Sequence, residues 1–175
     1  LFIRLIPSPA SFSSVDAIRV MHSPDCFDYE RAALNLLENR TRSIAKAPPV
    51  EPDSWRTPGY PLLVAGVYAV TGTSPHAVIF VHAVLAAVSC GLLAWWGAPL
   101  AVARAAALAA AVWAVDVGTV ANGGILLSET LCLLFMMLAF GALFAGPPTA
   151  RRGAAAGLMF ALAALARLAV LYLAA

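Results

Sequence analysis

The sequence predicts an all-α fold: a polytopic transmembrane helical bundle with one polar loop that carries amphipathic juxtamembrane helices. Three observations predict it. The chain of 175 residues is 62% hydrophobic and 11% charged, with a mean hydropathy of +0.85. Soluble domains carry roughly 25% charged residues, so lipid is the expected solvent. Four apolar stretches each have about the length of a helix that crosses a membrane, at roughly 1.5 Å rise per residue. Six of the 11 Lys/Arg and seven of the 9 Asp/Glu fall between residues 7 and 58, which leaves the rest nearly uncharged.

Taken in order, residues 1–7 read as the end of a first transmembrane helix and residues 8–58 as the polar loop. Residues 59–175 form the expected bundle. Its first piece, 59–72, is too short to span comfortably and reads as an interfacial or re-entrant helix. Spans are expected at 76–97, 104–122, 126–145 and 153–174. Gly and Pro mark the short connections Gly97-Ala98-Pro99-Leu100, Asn122-Gly123-Gly124 and Gly146-Pro147-Pro148. Small residues such as Ala105 to Ala111 let membrane helices approach closely. The chain begins without Met and stops inside an apolar run, so a fragment of a longer polytopic protein is expected.

Some functions are disfavoured at once. A net charge of +2 without basic blocks gives no footprint for nucleic acid. Cys26, Cys90 and Cys132 are far apart and read as small apolar packing residues. Orientation stays open by charge counting. Arg104, Arg151 and Arg152 mark one side as cytoplasmic, while six basic residues in the polar loop pull the other way.

The polar loop holds the reactive groups. Ser23-Pro24-Asp25 is a helix-start signal, with a cap, Pro at the first helical position and an acid in the first turn. A helix from 24 to about 39 puts Cys26, Tyr29, Ala33, Leu36 and Leu37 on one side, with Asp25, Asp28, Asn35 and Asn39 on the other. Asp25 and Asp28 are three apart and share a face. Their plain account is dipole stabilisation and solvation. The functional account is a general base at the lipid–water boundary, taking a proton from an acceptor hydroxyl. His22, Asp25 and Asp28 could also hold a divalent metal, although three such residues on a surface helix are ordinarily only solvated. No cofactor is expected. Ala47-Pro48-Pro49-Val50-Glu51-Pro52 is an extended, proline-stiffened link. Arg56-Thr57-Pro58-Gly59-Tyr60-Pro61 then turns the chain into an apolar helix, with Trp55 and Tyr60 as interfacial anchors.

Three charges lie inside the apolar stretches: Asp116, Glu129 and Arg167. Such groups face a cavity or a partner. Pairing of Asp116 or Glu129 with Arg167 for packing is one reading. Glu129 facing a site, with Arg167 on an anionic lipid head group, is the other. His76 and His82 read as interfacial or helix-packing groups.

Four strings in order complete the pattern: Pro24-Asp25-Cys26-Phe27-Asp28-Tyr29, Arg56-Thr57-Pro58-Gly59-Tyr60-Pro61-Leu62, Leu127-Ser128-Glu129-Thr130-Leu131 and Leu162-Ala163-Ala164-Leu165-Ala166-Arg167. Together they resemble the amino-terminal part of the C-type glycosyltransferase superfamily, integral membrane enzymes that use polyprenyl-phosphate-linked sugars. Protein O-mannosyltransferases and aminoarabinose transferases belong to it. The resemblance implies a plasma (inner) membrane location with the polar loop on the extracytoplasmic side. It implies Asp25, and less strongly Asp28, as catalytic. It implies substrate-binding roles for Tyr29, Arg56, Tyr60, Glu129 and Arg167, the last on the lipid phosphate. The implied partners are a polyprenyl-phosphate-linked sugar, the lipid bilayer and an acceptor lipid, glycan or protein. Asp25, Glu129 and Arg167 are then expected around one shared hollow. The competing readings are a transporter or lipid flippase using Asp116, Glu129 and Arg167, and a non-catalytic membrane scaffold.

Overall fold

A computed structural model of the chain describes residues 24–100, 103–144 and 146–173, and the expected helix end at 1–7 lies outside them. The described residues are helical, with no strand among them. The helices are α1 (Pro24–Asn39), α2 (Gly59–Thr71), α3 (Pro75–Leu100), α4 (Ala103–Ala114), α5 (Val117–Gly123), α6 (Glu129–Phe144) and α7 (Ala150–Ala166), followed by a 3-10 helix over Leu168–Leu173. α6 packs on α7 and α3 on α4, while α3 also meets α6. α1 lies on α2, which touches both α3 and α7.

Pro75–Ala98, within α3, is long and apolar enough to cross a membrane, with a mean hydropathy of 2.4. Only 17% of that window is buried inside the protein, and Phe80, Val84, Val88 and Trp95 face outward. A soluble core helix would hide such residues. α2 and α6 are apolar but shorter than a span.

The expected span over 104–122 is broken. α4 and α5 meet at 53° around Asp116, whose carboxylate caps α5 by accepting from the Thr119 N–H at 2.8 Å and the Thr119 hydroxyl at 3.0 Å. This is the ordinary chemistry of an acidic N-cap, and Asp116 is in no salt bridge among the described residues. The span expected over 126–145 starts as a helix only at Glu129, with Leu126 and Ser128 buried just before it. The span expected over 153–174 is α7, which stops at Ala166. Arg167 is extended (φ −154°, ψ 118°) and the 3-10 helix follows.

α1 buries Cys26, Tyr29, Ala32 and Ala33 at the spacing of one helix face. Asn35, expected on the polar side, is buried instead. Its amide donates to Ser43 O at 2.7 Å and Ala45 O at 3.0 Å, so it ties the following loop to the helix. The core joins these α1 residues to Tyr60, Val64 and Tyr68 of α2, Leu131 and Cys132 of α6, and Ala163 and Ala166 of α7.

Candidate functional site

Arg56 organises the loop side of the site. Its Nη2 donates to Asp25 Oδ1 at 2.5 Å and to Asp28 Oδ2 at 2.7 Å, and its Nε donates to Asp28 Oδ2 at 3.1 Å. The two acids are one turn apart on α1, so one forked guanidinium meets both. The same group lies over the Tyr29 ring, 5.5 Å from its centroid. Desolvation opposes the charge on Arg56, but the bonds to Asp28 and Asp25 outweigh it and raise its pKa. Arg56, expected on substrate, is therefore occupied by the two expected catalytic acids.

The loop is built to present Arg56. Arg42 Nη1 donates to Arg56 O at 2.9 Å. Asp53 accepts from the Ile44 N–H at 2.7 Å and the Trp55 N–H at 3.1 Å. Desolvation works against the Asp53 carboxylate, and the bonds from Ile44 and Trp55, aided by Ser43 and Arg42, overcome it and lower its pKa.

Tyr29 and Tyr60 form the floor. Both are buried, with ring centroids 4.8 Å apart in an edge-on pair. The Tyr29 hydroxyl shares a 3.2 Å hydrogen bond with the Ser128 hydroxyl. The Tyr60 hydroxyl is 3.0 Å from His82 Nε2, and His82 Nδ1 is 3.4 Å from Gly123 O. Nδ1 donating to that carbonyl leaves Nε2 to accept from Tyr60. Both tyrosines, expected on substrate, thus hold helices together.

Thr57 and Gly59 dock α2 onto the end of α7. The Thr57 hydroxyl donates to Ala166 O at 2.8 Å, which satisfies one of the carbonyls a helix C-terminus leaves unpaired. A Cβ on Gly59 would stand 2.7 Å from Leu165 O and 2.9 Å from Ala166 N, so only glycine fits there. This approach places the loop beside Arg167. Arg167 Nη1 in turn donates to Glu129 Oε1. The other Glu129 oxygen, Oε2, is buried with no hydrogen-bond partner among the described residues.

Among the described residues, Glu129 and Asp28 border different hollows rather than the one expected. Glu129 borders a small hollow of about 50 Å³ with Ser89, Trp113, Thr119, Asn122 and Thr130. Asp28 borders a separate cleft of about 360 Å³ on the loop side. The two ion-pair clusters are linked through the Tyr29–Ser128 and Thr57–Ala166 hydrogen bonds.

Sequence reasoning quoted Thr57 and Ser128 within longer strings without giving them a role, and did not single out Asp53 or the pair of Glu30 and Tyr68. Tyr68 OH donates to Glu30 Oε1 at 3.0 Å and joins α1 to α2. Desolvation raises the Glu30 pKa, only partly offset by Tyr68 and Arg31. Among the described residues no three His, Cys, Asp or Glu side chains are placed to hold a metal, and His22 lies outside them. Comparison with protein-family models, curated proteins and solved structures finds no match to this chain.

Proposed function

We propose that the protein is a polytopic membrane glycosyltransferase that moves a sugar from a polyprenyl-phosphate donor to an acceptor hydroxyl on the outer face of the membrane. One observation carries the reading. The four strings that resemble the superfamily lie far apart in sequence, yet each is bonded to another: Arg56 to Asp25 and Asp28, Tyr29 to Ser128, Thr57 to Ala166, and Arg167 to Glu129. The membrane part of the reading is supported by α3, with its outward Phe80 and Trp95, and by the bent pair α4–α5, which together are long and apolar enough for one broken span.

In this reading Asp25, whose side chain is 45% exposed, takes the proton of the acceptor hydroxyl. The acceptor oxygen bonds to the sugar C1 as the bond from C1 to the phosphate oxygen breaks. The phosphate leaves with the electron pair, and Arg167 stabilises its charge. Arg167 then exchanges Glu129 for phosphate. The substrate must reach over the Thr57–Ala166 contact to meet both acid and arginine. Asp116, which a transporter reading would use, caps a helix.

The test is transfer of labelled sugar from a polyprenyl phosphate in reconstituted membranes. Asp25→Asn is expected to abolish transfer while the protein keeps its thermal transition. Near-normal transfer by that variant removes Asp25 from the mechanism.

A further inference from the structure

The cleft beside Asp28 is lined by Phe27, Asp28, Glu30, Arg31, Ile44 and Lys46 and encloses about 360 Å³. Its acids are already engaged. Asp28 is bonded twice by Arg56, and Glu30 accepts from Tyr68. Burial raises the Glu30 pKa, against the hydrogen bond from Tyr68 and the nearby charge of Arg31. Among the described residues neither Arg31 nor Lys46 takes part in a salt bridge, although Arg31 lies near enough to Glu30 to act on its charge, and both cations are exposed. Phe27, 51% exposed, offers a flat apolar wall.

We propose that this cleft is a binding site for a phosphate group, held between Arg31 and Lys46, on the acceptor side of the reaction. A forked guanidinium from α1 and an ammonium from the loop that Asn35 ties to α1 both line the cleft, the pair of donors one anion takes. An uncharged acceptor would leave both cations unused. The site shares Asp28 with the candidate catalytic cluster, so a molecule anchored there by phosphate reaches towards Asp25 on the same helix face. Its role as acceptor site rests on the transferase reading, whereas phosphate binding does not.

Binding is measured on the purified protein in neutral detergent, without turnover, using short-chain phosphatidic acid, the matching diacylglycerol and inorganic phosphate. Phosphatidic acid is expected to bind about tenfold more tightly than diacylglycerol, and R31Q/K46Q to lose about that factor. R151Q/R152Q, which removes two charges at the start of α7, is expected to keep the preference. Displacement of phosphatidic acid by millimolar inorganic phosphate supports the site with a soluble phosphate as its ligand. Resistance to displacement supports it with a lipid head group. Equal binding of phosphatidic acid and diacylglycerol, or an unchanged preference in R31Q/K46Q, overturns the proposal. Lost transfer in a protein that keeps the preference counts against the transferase alone, and intact transfer without the preference counts against the site alone.

Discussion

Replacing Gly59 by alanine tests how tightly the loop is docked. The added Cβ would sit 2.7 Å from Leu165 O, where ordinary contact begins at 3.4 Å, so the two backbones must part by about 0.7 Å. Backbone atoms on both sides leave no flexible side chain to yield. Overpacking of this kind costs about 1–3 kcal/mol, and disturbing the Thr57–Ala166 hydrogen bond costs about 1 kcal/mol more. Alanine in place of a helical glycine returns roughly 0.5–1 kcal/mol. The net expectation is a loss of about 1–3.5 kcal/mol, read as a lowered thermal or denaturant midpoint in detergent. Gly66, in the same helix, is the internal control, because its Cβ would meet nothing within 4 Å. Gly66→Ala is expected to be neutral or to stabilise by up to about 1 kcal/mol. If the two variants behave alike, the close approach of α2 to α7 is wrong.

Three further outcomes are expected. Glu30 has a folded-state pKa above its unfolded value, so folding favours its protonated form and stability falls as pH rises from the ordinary carboxyl range through the folded pKa; Glu30→Gln should flatten that slope in melts recorded between pH 4 and 8, on the order of the range carboxylates titrate over, and an unchanged slope counts against a buried carboxyl. Tyr60→Phe leaves His82 Nε2 buried without its donor and should cost about 1–3 kcal/mol; an unchanged midpoint removes that bond. In a double-mutant cycle, Arg167→Met and Glu129→Gln should couple by roughly 0.5–3 kcal/mol, whereas additive effects show that the two side chains do not pair.

Much of the helix layout was legible because apolar stretches and Gly/Pro punctuation are local signals. Helix α1 over Pro24–Asn39 coincides with the expected helix, its start marked by the Pro-Asp pair. The breaks were not legible by hydropathy. Val115 and Val117 flank Asp116, so the stretch reads as continuous, and only the cap between Asp116 and Thr119 reveals the bend. Arg167 likewise looked like a charge within a helix, while the structure makes it the residue at which α7 stops. Within the site, residue types such as Asp25, Arg56 and Glu129 stood out because charge is scarce around them. Their partners could not be read. Spacing on one helix shows that Asp25 and Asp28 share a face, but a 31-residue separation says nothing of Arg56 meeting both. Asn35 was placed on the wrong side because helical periodicity cannot know that a loop will fold back and offer it carbonyls.

The bond from Thr57 to Ala166 spans 109 residues. A ribosome adding about 5–20 residues per second delivers that carbonyl on the order of ten seconds after the threonine has emerged. Until then the nascent hairpin of Arg56 with its acids has no dock, and the arginine that follows Ala166 does not exist. The Arg56 corner of the molecule consequently closes only after α7 has been made, and a chain halted before residue 166 would carry a polar loop with nothing to settle upon.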